Sequence, residues 1–328
     1  MSRALFQGSN VLITGGLGFI GSNLAHRLLE LGARVTVLDS LIPEYGGNLF
    51  NIAGIENRVR VNVSDVRDEH SMRYLVQDQR YLFNLAGQTS HMDSMADPYT
   101  DLEINCRAQI SILEACRKHN PGIKVVFAST RQIYGKPDYL PVNEDHLSRP
   151  VDVNGINKMA GEWYHVLYNN VFDVTACSLR LTNTYGPRMR VKDARQTFLG
   201  TWLRLLVEGK PFEVWEGHQL RDFTYVEDAV EALLLAAACD QANGQTLNLG
   251  GDCVISLKGL AELLVEVNGG GEFTTSSYPP DRKRIDIGDY YADYSRIRAA
   301  LGWEPRVALR DGLARTLAYY RQHLAHYL

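Results

Sequence analysis

The chain has 328 residues, 45% of them hydrophobic, with a formal net charge of -4 and a pI near 6.1. This length can bury a substantial core and is typical of two lobes rather than one compact domain. The slightly acidic balance excludes a general attraction for nucleic acid or anionic membranes, so any anion site must be a local cluster of arginines.

Targeting and metal signals are missing from the sequence. No apolar run is long enough for a signal peptide or a membrane span, which predicts a cytoplasmic protein whose partners are small molecules or another protein chain. The five cysteines are scattered without CxxC or Cys/His clusters. We therefore expect structural thiols and no metal site.

Short β-branched runs alternate with amphipathic helical stretches in the first 180 residues. Strands are predicted at 10–14, 34–39, 58–63, 81–86, 124–130 and 173–180, and helices near 19–31, 67–78, 98–119 and 152–170. Such alternation is typical of parallel strands joined by helical crossovers. The pattern predicts an α/β fold with a doubly wound parallel sheet.

The alternation breaks after Arg180, where a Gly/Pro/Arg-rich loop begins. A helix near 195–208, a strand-like patch at 212–224, the helix VEDAVEALLLAAA and a strand at 246–250 follow, and the remaining residues are mostly helical. We predict a Rossmann domain from 1–180 plus about 226–252. A smaller, interleaved C-terminal α/β lobe would comprise about 181–225 plus 253–328.

Three glycines, Gly15, Gly18 and Gly21, follow the first strand in GxxGxxG spacing and open the first helix. They allow a tight turn, close approach of backbone amides to a pyrophosphate, and close packing of helix on strand. Phe19 and Ile20 lie in the same turn. The stretch predicts a dinucleotide site.

An acidic residue stands at the end of the second predicted strand, and another comes shortly after the third. Asp39 can accept hydrogen bonds from both ribose hydroxyls and would repel a 2′-phosphate, which favours NAD over NADP. Asp65 and Val66 follow the third strand, where an acidic side chain could reach the adenine amino group. An N-cap for the following helix is an equally good interpretation of Asp65.

Six segments of the chain resemble the extended short-chain dehydrogenase/reductase family. They are TGGLGFIGSNL, NLAG at 84–87, FASTRQIYG at 127–135, LRLTNTYGPRMR, LRDFTYVEDAVEALLLA and ADYSRIRAALGWEP. The resemblance covers nearly the whole chain. Within this family, the chain is most similar to the nucleotide-sugar epimerases and dehydratases. The resemblance implies a Rossmann domain that binds NAD and a smaller lobe that holds a nucleoside diphosphate sugar.

The resemblance also implies roles for individual residues. Leu85, Ala86 and Gly87 would lie against NAD, and Gln88 against the sugar. The residues implied at the nucleotide diphosphate are Asn183, Arg221 and either Arg282 or Arg284, since guanidinium groups bind phosphate oxygens well. Asn105 would support the active-site lysine.

In the family, a Ser or Thr, a Tyr and a Lys surround the hydroxyl that is oxidised, and the tyrosine accepts its proton. Thr130 and Lys158 occupy the first and last of these positions, but Asn154 stands in the tyrosine position. A carboxamide is not a general base near neutral pH. The catalytic group of the family is therefore incomplete in this chain.

Several explanations for Asn154 stay open at the level of sequence. His91, Asp93, Asp152, Tyr134 and Tyr164 are chemically able to replace the tyrosine. Lys158, desolvated beside NAD⁺, could itself accept the proton through Thr130 or water. Alternatively, activity has been lost.

The residues after Thr130 narrow the reaction. Related dehydratases carry an Asp-Glu pair there and decarboxylases a carboxylate, whereas this chain has Arg131 and Gln132. Arg131 could pair with a carboxylate on the sugar, as in a uronic acid, or form a structural salt bridge. The pattern favours redox chemistry alone.

We therefore expect an NAD-dependent nucleotide-sugar epimerase that acts at C4 through a transient 4-keto sugar. The alternatives are a dehydratase or 4-keto-reductase with a relocated acid/base, and a catalytically silent protein that binds NAD and a nucleotide sugar. Apolar stripes on the helices near 98–119 and 152–170, with residues such as Ile104, Ala108, Ile112 and Ala115, usually pack on the sheet. Two broad neighbouring stripes can also build a four-helix dimer interface, and we expect a homodimer.

Overall fold

The computed structural model describes residues 5–195 and 197–328, without the side chains of Pro43, Asp281 and Arg282. The strands are β1 (Asn10–Thr14), β2 (Arg34–Asp39), β3 (Val59–Val63), β4 (Tyr81–Asn84), β5 (Lys124–Thr130), β6 (Ala176–Leu181), β7 (Asn183–Tyr185), β8 (Phe212–Trp215), β9 (Leu220–Tyr225), β10 (Thr246–Asn248), β11 (Val254–Ser256) and β12 (Phe273–Ser276).

The α-helices alternate with these strands. They are α1 (Phe19–Glu30), α2 (Glu69–Leu75), α3 (His91–Ala96), α4 (Pro98–Leu102), α5 (Ala108–His119), α6 (Val153–Val171), α7 (Phe198–Val207), α8 (Val226–Ala238), α9 (Leu257–Asn268), α10 (Pro280–Lys283), α11 (Ser295–Leu301) and α12 (Leu309–His323). Within the described residues, no helix is long and apolar enough to cross a membrane.

Seven parallel strands form the central sheet in the order β10-β6-β5-β4-β1-β2-β3. The inner strands β4 and β5 are almost entirely buried, because helices cover both faces of the sheet. Helices α1 and α8 pack on one face, and α2 and α5 on the other. The predicted doubly wound α/β fold is confirmed.

Two smaller sheets lie outside the central one. In the first, β9 pairs in parallel with β7 and antiparallel with β11, and in the second, β8 pairs in parallel with β12. The strand-like patch predicted at 212–224 is therefore two strands. Glu216 and Gly217 separate them with φ angles of 55° and 86°, which extended strands do not accommodate.

The helix predicted near 98–119 is also interrupted. A single π-helical segment, Glu103–Arg107, separates α4 from α5. Segments of this kind add a residue to one turn and are often found at functional sites. Here the segment contains Asn105, which is fully buried.

The carboxyl ends of β1, β2, β4, β5 and β6 meet at one edge of the central sheet, because the strands are parallel. In open α/β sheets, ligands bind outside this edge, where the strand order reverses. The order reverses between β1 and β4. This point is where the candidate site lies.

Candidate active site

A cleft of about 620 Å³ runs along the carboxyl edge of the central sheet and is bordered by β8, β9 and α7 on its far side. Its volume is in the range of pockets that enclose small ligands and cofactors. Of the predicted site residues, those that line it are Gly15, Gly18, Phe19, Ile20, Gly21, Asp39, Asp65, Val66, Leu85, Ala86, Gly87, Thr130, Arg131, Asn154, Lys158, Asn183 and Arg221.

The glycine turn forms one end of the cleft. Gly15 has a φ of 67°, and a Cβ atom there would lie 3.0 Å from the backbone of Ala86. At Gly21 a Cβ would come within 2.3 Å of the carbonyl oxygen of Gly15. No side chain caps the N-terminus of α1 at Gly18, so the first amides of the helix are available to an anionic group.

Asp39 lies beside this turn at the end of β2. Its carboxylate accepts hydrogen bonds from the Leu17 amide at 3.0 Å and from the Leu41 amide at 2.9 Å. Burial raises the pKa of Asp39, and these amides partly offset the effect. The carboxylate is thus held rigidly against the glycine turn, where it faces the cleft.

Asp65 lines the cleft but is held by Arg67 through bonds of 2.9 and 2.7 Å to Nε and Nη2. The hydrogen bond from Arg67 lowers the pKa of Asp65. The alternative interpretation of Asp65 as an N-cap is wrong, because Asp68 caps α2 by accepting from the His70 amide.

Lys158 is buried beneath the middle of the cleft. Its Nζ donates to the Ala128 carbonyl at 3.2 Å and lies 5.0 Å from the centre of the Phe127 ring. Burial lowers the pKa of Lys158 to about 8, although nearby Asp101 acts in the opposite direction. The lysine is therefore far easier to deprotonate than an exposed one.

Gly87 leaves space directly above this lysine. A Cβ there would lie 2.8 Å from Lys158 Nζ and 2.9 Å from Asn105 Oδ1. Asn105 Oδ1 is buried and has no partner among the described residues, whereas its Nδ2 donates to Asp101 and to the Gln88 carbonyl. A free acceptor and a cation therefore converge on the space that Gly87 leaves open.

Asn154 is fixed by a buried network. Its Nδ2 donates to the Gln88 carbonyl at 2.8 Å and to Asp101 Oδ2 at 3.1 Å. Because both partners are acceptors, the nitrogen must face them, and Oδ1 is left for the cleft. Asn157 donates to the other oxygen of Asp101 at 2.8 Å. Asn154 therefore serves as an internal donor.

Thr130 ends β5 and begins a short 3₁₀ turn, in which its Oγ1 accepts from the Gln132 amide at 3.2 Å. The Gln132 side chain turns away and donates to Asp152 Oδ2 at 3.0 Å. His91 Nδ1 lies 2.9 Å from the same oxygen. Burial would raise the pKa of Asp152, but the hydrogen bonds and charge that it receives leave it below the usual value.

Two guanidinium groups converge at the far wall. Arg131 donates to Asn183 Oδ1 at 3.0 Å and stacks 5.1 Å from the centre of the Tyr290 ring. Arg221 lies 3.5 Å from Asp286 Oδ1. Burial and the charge of Arg131 lower the pKa of Arg221 to about 10. Asp222 and Asp286 lie near Arg131, and Asp286 and Asp289 near Arg221, so the wall brings the two guanidinium groups together among several carboxylates.

Some predicted residues are not brought to the cleft. Gln88 is buried behind it, where its Nε2 donates to the Ser90 carbonyl at 2.9 Å. Arg284 is exposed and does not line the cleft. The side chain of Arg282 lies outside the described groups, so its predicted role stays a prediction.

Only some of the groups that could replace the missing tyrosine line the cleft. Tyr134 is fully buried, its hydroxyl bonds to Arg180 and Asn248, and burial raises its pKa to about 12. Asp93 pairs with Arg195 at 3.3 Å. Neither residue lines the cleft, nor does Tyr164. His91 and Lys158 do.

Sequence reasoning missed two residues of this site. Asp101 was not singled out, although its spacing of four from Asn105 places both on one helix face. Asn157 carried no signal, since its role depends on α6 packing against α4. In the described structure, no three His, Cys, Asp or Glu side chains gather in a way that could hold a metal ion.

Comparison with known proteins agrees with this geometry. A sequence model of the NAD dependent epimerase/dehydratase family matches residues 11–250, and the chain belongs to this family. The UDP-glucose 4-epimerase of Mycolicibacterium smegmatis is 30% identical over 94% of this chain and 98% of its own length. The dTDP-glucose 4,6-dehydratase of Streptomyces griseus is 32% identical over 96% and 95%.

The fold has close structural counterparts as well. The crystal structure of UDP-glucose 4-epimerase from Thermotoga maritima with UDP-glucose superposes with a TM-score of 0.88 at 29% identity, covering 96% of this chain and 99% of that one. The predicted family and its cofactor NAD are thus confirmed. The residues of this chain fit NAD: the uncapped α1 suits the pyrophosphate, and the space above Gly87 suits a ribose beside Lys158.

Proposed function

We propose that this protein is an NAD-dependent nucleotide-sugar epimerase that acts at C4. The observation that carries the proposal is the composition of the cleft wall after Thr130. There Arg131 donates to Asn183 Oδ1, and the Gln132 side chain donates through Nε2 to Asp152 Oδ2. The wall therefore has no acid pair to eliminate water across C5–C6, but it keeps Thr130 and Lys158 beside the NAD site.

Each of these residues has a task in the proposed reaction. When bound, NAD supplies reversible acceptance of hydride from the sugar carbon. Thr130 Oγ1 hydrogen-bonds the reacting oxygen, and the Lys158 ammonium holds the ribose and stabilises negative charge that develops on that oxygen. Asn154 Oδ1 orients the hydroxyl by hydrogen bonding. A keto sugar that turns between the two hydride transfers then gives the epimer.

The diphosphate of the substrate would lie between Arg131, Asn183 and Arg221. Bidentate guanidinium groups suit phosphate oxygens, and the two arginines are close enough that burial and the charge of Arg131 lower the pKa of Arg221. The nucleobase would extend toward the aromatic pair Trp215 and Tyr278, whose ring centres lie 5.3 Å apart.

Product analysis tests the proposal. The purified protein is incubated with NAD and, in turn, UDP-glucose, UDP-galactose, UDP-glucuronic acid and dTDP-glucose, and the products are identified by NMR. We expect a C4 epimer of at least one substrate. A 4-keto-6-deoxy product would identify a dehydratase instead, and tight binding of every probe without any product would identify a silent binding protein.

We also propose that the protein is a homodimer. Helices α3, α4 and α6 expose large apolar side chains, together called the α4/α6 face: Met95, Tyr99, Leu102, Ile156, Trp163 and Leu167. Tyr99 is 78% exposed and Trp163 60%. Exposed apolar patches of this kind mark interaction sites, and paired antiparallel helices suit a four-helix interface with a second copy.

A further inference from the structure

His91 and Asp152 form a pair at the sugar side of the cleft, and the roles assigned above leave it unused. The Asp152 side chain is fully buried, whereas the His91 side chain is 38% exposed. His91 Nδ1, which faces Asp152, is itself buried. The exposed part of the ring therefore lies away from Nδ1, and His91 is among the residues that line the cleft.

Asp152 is held firmly enough to fix the ring. Its Oδ1 accepts from the Gly155 amide at 2.7 Å and so caps α6, while Oδ2 accepts from Gln132 Nε2 at 3.0 Å. A carboxylate beside Nδ1 keeps the hydrogen on that nitrogen. We infer from the 2.9 Å contact between Asp152 Oδ2 and Nδ1 that Nδ1 carries the hydrogen of the neutral imidazole, which leaves the lone pair on Nε2.

The pair is anchored to the residue that replaces the tyrosine. Ser94 Oγ accepts from the Asn154 amide at 3.3 Å and donates to the His91 carbonyl at 2.7 Å. Asp152 directly precedes α6, two residues before Asn154. The imidazole and Asn154 therefore occupy the same wall of the cleft, on the side where Thr130 and Gln132 also lie.

We propose that His91 exchanges the proton of the reacting sugar hydroxyl and that Asp152 is its positioning residue. This proposal rests on the proposed epimerase function. As the hydroxyl is oxidised, its O–H bond breaks, the proton bonds to Nε2, and the hydride from the same carbon passes to bound NAD⁺, which leaves a C=O group. On reduction, hydride returns to the opposite face of the carbon and Nε2 gives its proton back to the oxygen.

Lys158 is less suited to this exchange. Its Nζ is committed to the Ala128 carbonyl and lies against the space above Gly87, where the ribose would sit. His91 has no such second task among the described contacts. A His–Asp pair also resembles the usual arrangement of a positioned base, in which the carboxylate fixes the tautomer.

Kinetics of four variants test the proposal with a substrate that the wild type converts. His91→Gln is expected to lower kcat by about 10²- to 10⁴-fold while leaving nucleotide-sugar affinity unchanged in calorimetry. Asp152→Asn, which keeps the oxygen that caps α6, is expected to lower kcat strongly through the wrong tautomer. His91→Ala should recover part of its rate when imidazole is added, and the exposed His119→Gln should behave as wild type.

A second readout does not depend on turnover. The His91 imidazole is followed by nitrogen-15 NMR, with its resonances assigned as those lost in His91→Gln. UDP-glucose is expected to shift them, whereas UDP, which has no sugar, is not. An equal response to both probes, or none to either, would contradict contact between His91 and the sugar.

The outcomes separate the two proposals. Unchanged kcat in His91→Gln, with an active wild type, would overturn the role of His91 and leave the epimerase proposal standing. A wild type that binds NAD and nucleotide sugars but converts none of them would overturn both.

Discussion

At the scale of single residues, the buried Asp101 carboxylate explains why position 154 holds a carboxamide. Asp101 accepts hydrogen bonds from the amide nitrogens of Asn105, Asn154 and Asn157 at 3.0, 3.1 and 2.8 Å. A buried carboxylate is costly unless donors surround it. Asn154 supplies one of those donors and so stabilises this network. In the proposed reaction, another group transfers the proton.

Asn154→Asp tests this account of the wall. The variant keeps the size of the side chain but removes the donor and places a second carboxylate beside Asp101. We expect the free energy of unfolding in urea at pH 7 to fall by about 3 kcal/mol or more. The exposed Asn57→Asp is the matched control and should change stability by about 0.5 kcal/mol at most. Similar small effects at both positions would show that the network carries no stability.

Lys158→Met tests the burial of the lysine through its pH dependence. Below pH 8 the lysine is protonated in both the folded and the unfolded state. Between pH 8 and about 10.4 the folded state loses this proton before the unfolded state does, so wild-type stability gains up to about 3 kcal/mol that the variant lacks.

The measurement is urea unfolding of both proteins at several pH values. The stability of Lys158→Met relative to wild type should be greatest near pH 7 and decline as the pH rises through this window. The exposed Lys258→Met serves as the control. A difference that stays constant with pH would contradict the lowered pKa of Lys158.

The sequence was sufficient to predict the positions of site residues that belong to local motifs. Thr130 follows a strand end and Lys158 has a fixed spacing in its segment, and both line the cleft as the resemblance implied. The pairing of His91 with Asp152 joins residues 61 positions apart and depends on α3 packing against α6. Local spacing carries no information about such a contact.

At the scale of elements, the turn between β1 and α1 sets the approach of the cofactor. Gly15, Gly18 and Gly21 bring the start of α1 against the ends of β1 and β4, so that its free amides face the cleft. The close packing leaves no room for side chains. A change in this turn is therefore expected to alter both the stability of the fold and the affinity for NAD.

Gly21→Ala is expected to disturb this turn, because its Cβ would lie 2.3 Å from the Gly15 carbonyl oxygen. Overpacking of this kind costs about 1–3 kcal/mol of stability, and we expect weaker NAD binding in calorimetry as the amides shift. In Gly122→Ala the nearest atom is 4.0 Å from the new Cβ, so this control should bind NAD as wild type does. Equal affinities in all three proteins would contradict the role of the turn.

Trp163→Glu tests the α4/α6 face as a dimer interface. A charge in the middle of an apolar interface is costly, so the variant is expected to sediment as a monomer at concentrations where the wild type is a dimer. Tyr74→Glu replaces an aromatic residue that is 76% exposed on α2, away from this face, and should remain dimeric. A wild type that sediments as a monomer would remove the basis for the interface.

Helices and strands were predictable from the sequence where the pattern of hydrophobic residues was long and regular. The alternation of buried strands with amphipathic helices predicted the strands of the central sheet and that they run parallel. The π-helical segment at Glu103–Arg107 and the turn at Glu216–Gly217 were not predictable. Both depend on local backbone geometry that tertiary packing imposes on sequences with ordinary helical or strand patterns.

At the scale of the whole molecule, a protein with a net charge of -4 places arginines and a lysine, as well as carboxylates, along one cleft. Arg131 and Arg221 line one side of it and Lys158 lies near the centre, while α1 presents its free amides at the end that suits NAD. This distribution suits two anionic ligands bound along one cleft, a dinucleotide and a nucleoside diphosphate sugar. We propose that hydride passes from the nucleotide sugar to NAD and then returns to the sugar.

The fate of an isotopic label tests this claim most directly. The protein is incubated with NAD and a nucleotide sugar that carries deuterium at C4, and the product is examined by NMR and mass spectrometry. We predict the C4 epimer with its deuterium retained at C4, because hydride would leave and return within one closed site. An epimer that has lost the label to solvent, or one formed without NAD on the protein, would contradict the account.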